Sequence, residues 1–317
     1  MSLVPAKIPT RRAIADRMLE AGGENAEFVV FESDIGYSTY SYLFGDKYPK
    51  RYFNMGIAEL GTMAAAAGMA AGGRTAIVCG YGVFLTMRAL EAVRSFISYP
   101  HLNVKIFSSH GGVTAAIDGV THQATEDIAF MTTLPGMTVL VPCDSIAARA
   151  AFDLATGTPG PVFVRLMRDP LSEVYEAGTK FRIGGSACPR NGRDITIAAY
   201  GDMVIQALTA ADLLAADGIQ AEVLDLYSVK PWDEAALGES IARTGALLVA
   251  ENHQRRNGLG YEIAAWCMRR GISLPFAQVG LDDTFAESGS YPLTLKKFGM
   301  DPESIAAAAK NLAARKR

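Results

Sequence analysis

The chain has 317 residues, of which 50% are hydrophobic and 20% charged, and its net charge is −3. This composition is typical of a folded globular protein, and the length predicts about two domains. The longest segment without Asp, Glu, Lys or Arg, 128–143, is shorter than the roughly 20 apolar residues of a membrane-spanning helix. The only basic cluster is 315–317, and the N-terminus has no apolar core that would mark a secretory signal. We therefore expect a cytoplasmic protein with neither a membrane segment nor a nucleic-acid partner.

Short β-branched segments alternate with helical stretches in the first half of the chain. The segments are apolar throughout, as expected for strands buried on both faces of a sheet. The predicted strands are 28–31, 75–79, 103–107, 137–141 and 161–165. The predicted helices are 11–22, 57–72, 83–97, 125–133 and 145–155. This βαβ spacing predicts a parallel sheet with helices on both sides.

Residues 170–193 interrupt this alternation, because they are rich in Gly, Pro and charged residues without a clear period, which is typical of a linker. Afterwards the alternation resumes. Strands are predicted at 194–200, 221–226, 246–251 and 274–279, and helices at 203–217, 233–243, 258–270 and 302–314. The sequence therefore predicts an α/β protein with two parallel-sheet domains, which we place at 1–178 and 185–317.

Glu59 is a lone carboxylate at the start of a predicted helix of unusually small side chains, since residues 60–73 carry no charge. Two interpretations are open. Glu59 is either an exposed first-turn residue that is favoured by the helix dipole, or a carboxylate held in a close-packed apolar interface. In such an interface it could share a proton with a ligand.

A glycine-rich loop follows the predicted strand 103–107 and contains His110, Asp118 and His122. In parallel α/β sheets the loops at the carboxyl ends of the strands bind ligands. A plain polar loop with a turn at Asp118 is the alternative. The three side chains are also metal ligands by type, but their spacing fits no familiar zinc pattern, so we predict no metal site on this chain.

Three arginines have the chemistry of a phosphate clamp. Arg165 and Arg168 end the strand at 161–165, and Arg11 lies near the N-terminus. A guanidinium can bind a phosphate through two hydrogen bonds, although surface salt bridges are an equally good explanation. The chain contains none of the motifs GxGxxG, GxxxxGK[ST] or GxSxG, so nothing indicates a dinucleotide, ATP or a hydrolase nucleophile.

Five longer strings resemble one protein family. RYFNMGIAELGTMAAAAGMA, GYGVFLT and DGVTHQATEDIAFMTTLPGMTVLVPCD resemble the pyrimidine-binding domain of the transketolase family of thiamine diphosphate enzymes. ENHQRRNGLG and GLDDTFAESGSYPLTLKKFGM resemble its C-terminal domain. Full-length members have a preceding domain whose GDG motif binds the diphosphate and Mg²⁺, and this chain has no GDG. It is therefore similar to a split transketolase subunit, and the resemblance implies a GDG-containing partner that holds the metal.

The resemblance assigns Glu59 and three neighbours to the cofactor. Glu59 occupies the place of the glutamate that bonds the pyrimidine ring nitrogen and activates thiamine diphosphate. Phe84 matches an aromatic residue of the aminopyrimidine pocket. Met87 stands where a second aromatic residue is common in the family, so Phe84 or Tyr81 could supply the stacking face.

The resemblance assigns a second set of residues to the sugar. His122 is implied as a catalytic residue near the substrate hydroxyls, and Asp118 as the residue that reads the donor's hydroxyl configuration. Ile117 replaces a glutamate that is common in transketolases, which indicates a less polar donor end. The implied acceptor-phosphate site consists of Arg11, Ser38, His110 and Arg168.

Together these assignments imply the transfer of a two-carbon ketol unit from a ketose or ketose phosphate to an aldose phosphate in carbohydrate metabolism. Pentose phosphates are among the possible substrates. The implied assembly is an α₂β₂ heterotetramer in which this chain also contacts a copy of itself. We expect the second domain to support dimerisation more than catalysis. A 2-oxo-acid dehydrogenase β-like subunit, a deoxyxylulose-phosphate-synthase-like subunit and a non-catalytic subunit stay open as alternatives.

Overall fold

Two mostly parallel sheets organise the computed structural model, which describes residues 3–24 and 27–316. The strands, in chain order, are β1 (Val4–Pro5), β2 (Phe28–Glu32), β3 (Tyr52–Asn54), β4 (Thr75–Tyr81), β5 (Val104–Ser109), β6 (Thr138–Leu140), β7 (Val162–Arg165), β8 (Ser172–Glu173), β9 (Ala187–Arg190), β10 (Ile195–Ala199), β11 (Ala221–Asp225), β12 (Ser228–Lys230), β13 (Leu247–Gln254) and β14 (Phe276–Leu281). The predicted α/β class with two parallel-sheet domains is confirmed.

The helices flank these sheets. In chain order they are α1 (Thr10–Ala21), α2 (Gly36–Thr39), α3 (Tyr42–Lys47), α4 (Glu59–Ala71), α5 (Leu90–Ala92), α6 (Asp127–Thr133), α7 (Ser145–Gly157), α8 (Asp202–Ala216), α9 (Glu234–Thr244), α10 (Leu259–Arg269), α11 (Tyr291–Lys297) and α12 (Pro302–Ala313). Short 3₁₀ turns cover Pro49–Arg51 and Val113–Asp118. Within the described residues, no helix is both long enough and apolar enough to cross a bilayer.

The first sheet has the order β12-β6-β7-β5-β4-β2-β3, and all its strands run parallel except β12. Helices α1 and α7 pack on one face, whereas α4 and the helical segment 84–98 pack on the other. Strand β5, for example, is buried along its whole length because both faces are covered. This double coverage explains why the predicted strands are apolar throughout rather than alternating.

The second sheet has the order β14-β13-β10-β11-β9, parallel except for β9. It is not isolated from the first. Strand β12 follows β11 in the chain but pairs with β6 of the first sheet. One apolar cluster also contains Val139 and Phe163 of the first sheet together with Leu226 and Trp266 of the second half. The two halves therefore share part of their core, and the boundaries 1–178 and 185–317 stay a prediction.

Residues 170–193 are more ordered than the sequence predicted. Strand β8 pairs with β1, and β9 forms the edge of the second sheet. Between them, Tyr175 donates a hydrogen bond from its hydroxyl to Asp225 Oδ2 at 2.6 Å. The segment was predicted to be a linker, but it also contributes strands β8 and β9, which the sequence did not indicate because strands of two and four residues are too short to show a period.

The helix predicted at 83–97 is present but its turns are widened. Residues Phe84–Arg88 and Val93–Ser98 form π-helical turns on either side of α5. Such wide turns are rare and often occur at functional sites. The short elements α2, α3, β3 and α11 were not predicted, since each spans only three to seven residues.

The Tyr175–Asp225 bond should be worth a measurable part of the stability. Burial raises the pKa of Asp225 to about 7. Tyr175→Phe removes the hydroxyl donor from this buried carboxyl group and leaves it only the weaker thiol donor of Cys143, so we expect a loss of about 1–3 kcal/mol in the free energy of unfolding. The loss should be larger at pH 8 than at pH 6, because Asp225 is charged above its pKa and needs the donor more.

Urea denaturation at the two pH values measures this difference. Tyr99→Phe is the matched control, since Tyr99 is 89% exposed and its hydroxyl should matter by less than about 0.5 kcal/mol. Equal unfolding midpoints for Tyr175→Phe and the wild type would contradict the prediction.

Candidate functional site

Four predicted site residues follow the carboxyl ends of neighbouring strands. Strands β7, β5, β4 and β2 are adjacent in the sheet and parallel. Tyr81 ends β4, His110 directly follows β5, Arg168 lies just past β7, and Ser38 lies beyond β2. Parallel pairing therefore brings these side chains to one edge, where ligands bind in open α/β sheets.

Arg11 ties three of these segments together. Its Nε donates to the carbonyl oxygen of Arg168 at 2.8 Å, and its Nη1 donates to Ser38 Oγ at 2.9 Å. The Tyr81 hydroxyl donates to the same Ser38 Oγ at 2.7 Å. Helix α1 supplies Arg11 from the face of the sheet. The structure thus brings Arg11, Ser38 and Arg168 together, and it adds the hydroxyl of Tyr81.

His110 lies at the base of this group with only 1% of its surface exposed. Its Nδ1 is 2.9 Å from Ser109 Oγ. Burial, together with the nearby positive charges of Arg11 and Arg168, lowers the pKa of His110 to about 3. His110 is therefore neutral at pH 7, so the cationic charge beside it comes from the two arginines. We call Arg11, Ser38, His110 and Arg168 the anion group.

Asp118 lies at the edge of the anion group. Its Oδ2 is 3.9 Å from His110 Nε2 and 3.9 Å from Arg168 Nε. Its side chain is 29% exposed, so it faces the open side of the site. The Asp118 carboxylate therefore balances part of the positive charge of Arg168. The resemblance assigned this residue to the recognition of a sugar hydroxyl.

An aromatic wall joins the anion group to a second group around Glu59. The Tyr81 and His110 rings have centroids 4.0 Å apart, and His122 packs edge-on against Phe84 at 5.3 Å. Tyr81 and Phe84 are stacked at 6.1 Å. The Tyr81 ring thus contacts His110 of the anion group as well as Phe84. His122 lies between the anion group and the group around Glu59.

Glu59 is the first residue of α4 and is only 3% exposed, so the interpretation as an exposed first-turn residue is wrong. Its Oε2 accepts a hydrogen bond from Arg88 Nη1 at 2.7 Å. The Arg88 guanidinium also lies over the Phe84 ring, with Cζ 4.5 Å from the ring centroid. Arg88 therefore contacts both residues that the resemblance assigned to the aminopyrimidine. Met87 is half-buried beside it in the same segment.

Arg88 was not predicted as a site residue, although the sequence contains one indication of its position. Phe84 and Arg88 are four residues apart in a predicted helix, and such pairs lie on the same face. The planar Arg88 guanidinium thus lies between a carboxylate and an aromatic ring, and we call this place the slot.

Arg165 does not belong to the anion group, so neither interpretation left open for it, a phosphate clamp or a surface salt bridge, describes it. It is buried, and its Nη2 donates to the carbonyl oxygens of Ala124 and Asn252 at 3.2 and 2.7 Å. Its Nε lies 3.0 Å from Asp127 Oδ2. A buried guanidinium has to be satisfied by nearby acceptors, so Arg165 turns inward whereas Arg168 remains at the edge.

Across residues 3–24 and 27–316, no three His, Cys, Asp or Glu side chains are grouped so as to hold a metal ion. The site instead contains two groups of side chains, one around Glu59 and Phe84 and one around Arg11 and Arg168.

Comparison with known proteins agrees with this geometry. The model of the transketolase pyrimidine-binding domain matches residues 6–173, and that of the transketolase C-terminal domain matches 184–305. The chain is 37% identical to the 6-deoxy-6-sulfo-D-fructose transketolase subunit SqwH of Clostridium sp. (strain MSTE9), over 96% of this chain and 95% of the relative. It is 33% identical to an apulose-4-phosphate transketolase subunit of Phocaeicola vulgatus, over 94% of this chain and 95% of that protein.

A solved structure is similar to this chain over nearly its whole length. A split-gene transketolase, described as an inactive β₄ tetramer, superimposes with a TM-score of 0.88 at 38% identity. The match covers 98% of this chain and 99% of that one. This chain therefore belongs to the transketolase family and carries that family's pyrimidine-binding and C-terminal domains.

Proposed function

We propose that this chain is the C-terminal subunit of a split, thiamine-diphosphate-dependent transketolase. It would transfer a two-carbon ketol unit from a ketose or ketose phosphate to an aldose phosphate. The observation that carries the proposal is the pairing of two surfaces at one sheet edge. The rings of Tyr81 and His122 separate the slot at Glu59 and Phe84 from the anion group. This placement suits a reaction between a flat cofactor ring and a sugar with an anionic end.

The slot fits the aminopyrimidine of thiamine diphosphate. The contacts of Arg88 support this, since its planar guanidinium bonds Glu59 and lies over Phe84. An aminopyrimidine is likewise flat and bears hydrogen-bonding nitrogens. With the cofactor in place, Glu59 would share a proton with the ring nitrogen, Phe84 would pack on the ring, and Arg88 would give up its contact with Glu59. The cofactor supplies the nucleophilic carbon for carbon–carbon cleavage.

The anion group fits a sugar phosphate. Arg11 and Arg168 provide fixed positive charge, whereas the neutral His110 and the Ser38 hydroxyl provide hydrogen bonds. His122 lies between this group and the slot, and Asp118 lies at the edge of the anion group, so sugar hydroxyls would pass these two side chains. The named substrates of the two relatives, 6-deoxy-6-sulfo-D-fructose and apulose 4-phosphate, each carry an anionic substituent.

A partner subunit completes the proposed enzyme. The chain has no GDG motif, so we assign the diphosphate and Mg²⁺ site to a GDG-containing N-terminal subunit. Both relatives are themselves named as subunits, and the similar solved structure is a split-gene protein. An α₂β₂ assembly and a cytoplasmic location stay predictions.

The central test is reconstitution. This chain is mixed with the GDG-containing subunit of the same organism, thiamine diphosphate and Mg²⁺, and ketol transfer is assayed over a panel of ketose phosphates. Glu59→Gln should lower kcat about a thousandfold, because the amide cannot exchange a proton with the ring nitrogen.

Glu91→Gln is the control, since Glu91 is an exposed carboxylate of the same region and should leave the rate unchanged. Each subunit alone should be inactive. A pair that binds the cofactor but decarboxylates 2-oxo acids instead of transferring ketol units would refute the proposal and favour the dehydrogenase-like alternative.

Arg168→Gln should separate phosphate binding from the rest of the reaction. The backbone carbonyl that holds Arg11 is kept, so only one guanidinium is lost. We expect the KM for an aldose phosphate acceptor to rise about 10–100-fold, as for the loss of a charged hydrogen bond. The KM for unphosphorylated glycolaldehyde should stay within about twofold of the wild type.

Arg74→Gln serves as the control for charge, because Arg74 is a surface residue paired with Glu27. An equal rise in the KM of both acceptors would show that Arg168 does not recognise the phosphate.

The neutral state of His110 predicts a pH dependence of stability. Its pKa is about 3 in the folded chain, against about 6.5 when unfolded. Below pH 6.5 the unfolded chain binds a proton that the folded chain does not, so His110 contributes stability above pH 6.5 that is lost as the pH falls towards 3.

His110→Asn removes this pH-dependent contribution to the free energy of unfolding, because asparagine does not titrate. Between pH 6 and 4, the free energy of unfolding of the wild type should therefore fall more steeply than that of the variant, by at most about 1.4 kcal/mol per pH unit. Urea titrations across this range measure both slopes. Parallel slopes would mean that His110 has the same pKa in the folded and the unfolded chain.

A further inference from the structure

The loop that carries Asp118 and His122 has a backbone conformation that needs support. His110 and Ala116 have φ angles of 63° and 54°, in the left-handed region that side chains other than glycine seldom adopt. Gly112 and Gly119 also have positive φ angles, of 58° and 77°. Strained residues of this kind persist only where surrounding groups hold them in place.

Some of the groups that hold the loop come from the C-terminal half of the chain. Asn252, near the carboxyl end of β13, accepts a hydrogen bond from the Val113 backbone N–H at its Oδ1, at 2.9 Å. Gln123 Nε2, at the other end of the loop, donates to the carbonyl oxygen of Glu287 at 3.1 Å. A Cβ at Gly112 would lie 2.3 Å from Asn252 Oδ1. The loop therefore lies directly on this amide.

A buried carboxylate sets the orientation of the Asn252 amide. Its Nδ2 donates to Asp202 Oδ2 at 2.6 Å, so its oxygen has to face Val113. The hydroxyl of Tyr291 donates to the same Asp202 Oδ2 at 2.6 Å. Asn252 and Asp202 are both nearly inaccessible to solvent. Reversing or removing the amide would leave a buried polar group without a partner.

The backbone of Asn252 also contacts the segment that leads to the anion group. Its carbonyl oxygen accepts the 2.7 Å hydrogen bond from Arg165 Nη2. Arg165 ends β7, three residues before Arg168. One residue of the C-terminal half thus touches both the loop with Asp118 and the strand end that precedes Arg168.

We propose that Asn252 is a positioning residue of the proposed transketolase site, through which the C-terminal domain sets the placement of Asp118 and Arg168. The assignment rests on the proposed function for the identity of the substrate. It gives the C-terminal domain a role in substrate binding, beyond the dimerisation that the sequence analysis expected of it.

Three changes test the assignment in the full chain. Asn252→Ala removes both amide hydrogen bonds. Tyr291→Phe is milder, since it only weakens the orientation of Asp202 and keeps the ring, and it serves if Asn252→Ala does not fold. The double variant Asn252→Asp with Asp202→Asn exchanges the two groups, so that the acceptor for Val113 and the bond between positions 252 and 202 are both restored, and the Tyr291 hydroxyl then has to accept from the amide at position 202 instead of donating to it. Asn311→Ala, on the exposed side of α12, is the control.

The first measurement is amide hydrogen exchange of the segment 111–122. We expect exchange at least tenfold faster in Asn252→Ala, an intermediate effect in Tyr291→Phe, and rates near the wild type in the double variant and in Asn311→Ala. Unchanged exchange in both Asn252→Ala and Tyr291→Phe overturns the proposal.

The second measurement uses the reconstituted enzyme with thiamine diphosphate and Mg²⁺. Asn252→Ala, or Tyr291→Phe in its place, should raise the KM for the ketose phosphate donor, at least tenfold for Asn252→Ala, and leave the Kd for thiamine diphosphate within twofold. A faster-exchanging loop with an unchanged KM would show a purely structural role and overturn the proposal.

An inactive wild-type pair would count against the proposed function. The positioning role of Asn252 is then tested with inorganic phosphate as the ligand. Inorganic phosphate should slow exchange in 111–122 of the wild-type chain and much less in Asn252→Ala. Equal protection of the two chains, or none in the wild type, would overturn the positioning role.

Discussion

The parallel pairing of β7, β5, β4 and β2 is the constraint on which the rest of the site depends. Parallel strands end at the same edge, so residues far apart in the chain leave the sheet side by side. Arg11 then links these segments through hydrogen bonds to Ser38 Oγ and the Arg168 carbonyl. A change of strand order would separate the anion group from the slot at Glu59 even if every side chain were kept.

Burial decides the charge of this edge. His110 is buried between arginines and stays neutral, and Glu59 is buried but paired with Arg88. Charged groups inside a protein have to be paired or hydrogen-bonded. The pairing leaves Arg11 and Arg168 as the cations of the anion group, with Asp118 near both His110 and Arg168. The positive charge of the anion group therefore comes from these two guanidinium groups alone, because His110 is neutral.

The two halves of the chain depend on each other at this edge. Strand β12 extends the first sheet from the second half, and a shared apolar cluster covers both. The loop that bears Asp118 donates hydrogen bonds to Asn252 Oδ1 and to the carbonyl oxygen of Glu287. The family models divide the chain near 173–184, whereas the hydrogen bonds and the core cross that boundary.

The sequence by itself determined the α/β class, the longer strands and helices, and the family, because hydrophobic periodicity and the DGVTHQ-type strings are local properties of the chain. It also named Glu59, His110, Asp118 and Arg168 as candidates. Only the tertiary structure decided that Arg165 turns inward to Asp127 while Arg168 stays at the edge. Only it placed Arg88 between Glu59 and Phe84, and Asn252 under the loop at Val113. Burial and hydrogen-bond partners depend on segments distant in the chain, and no local pattern encodes them.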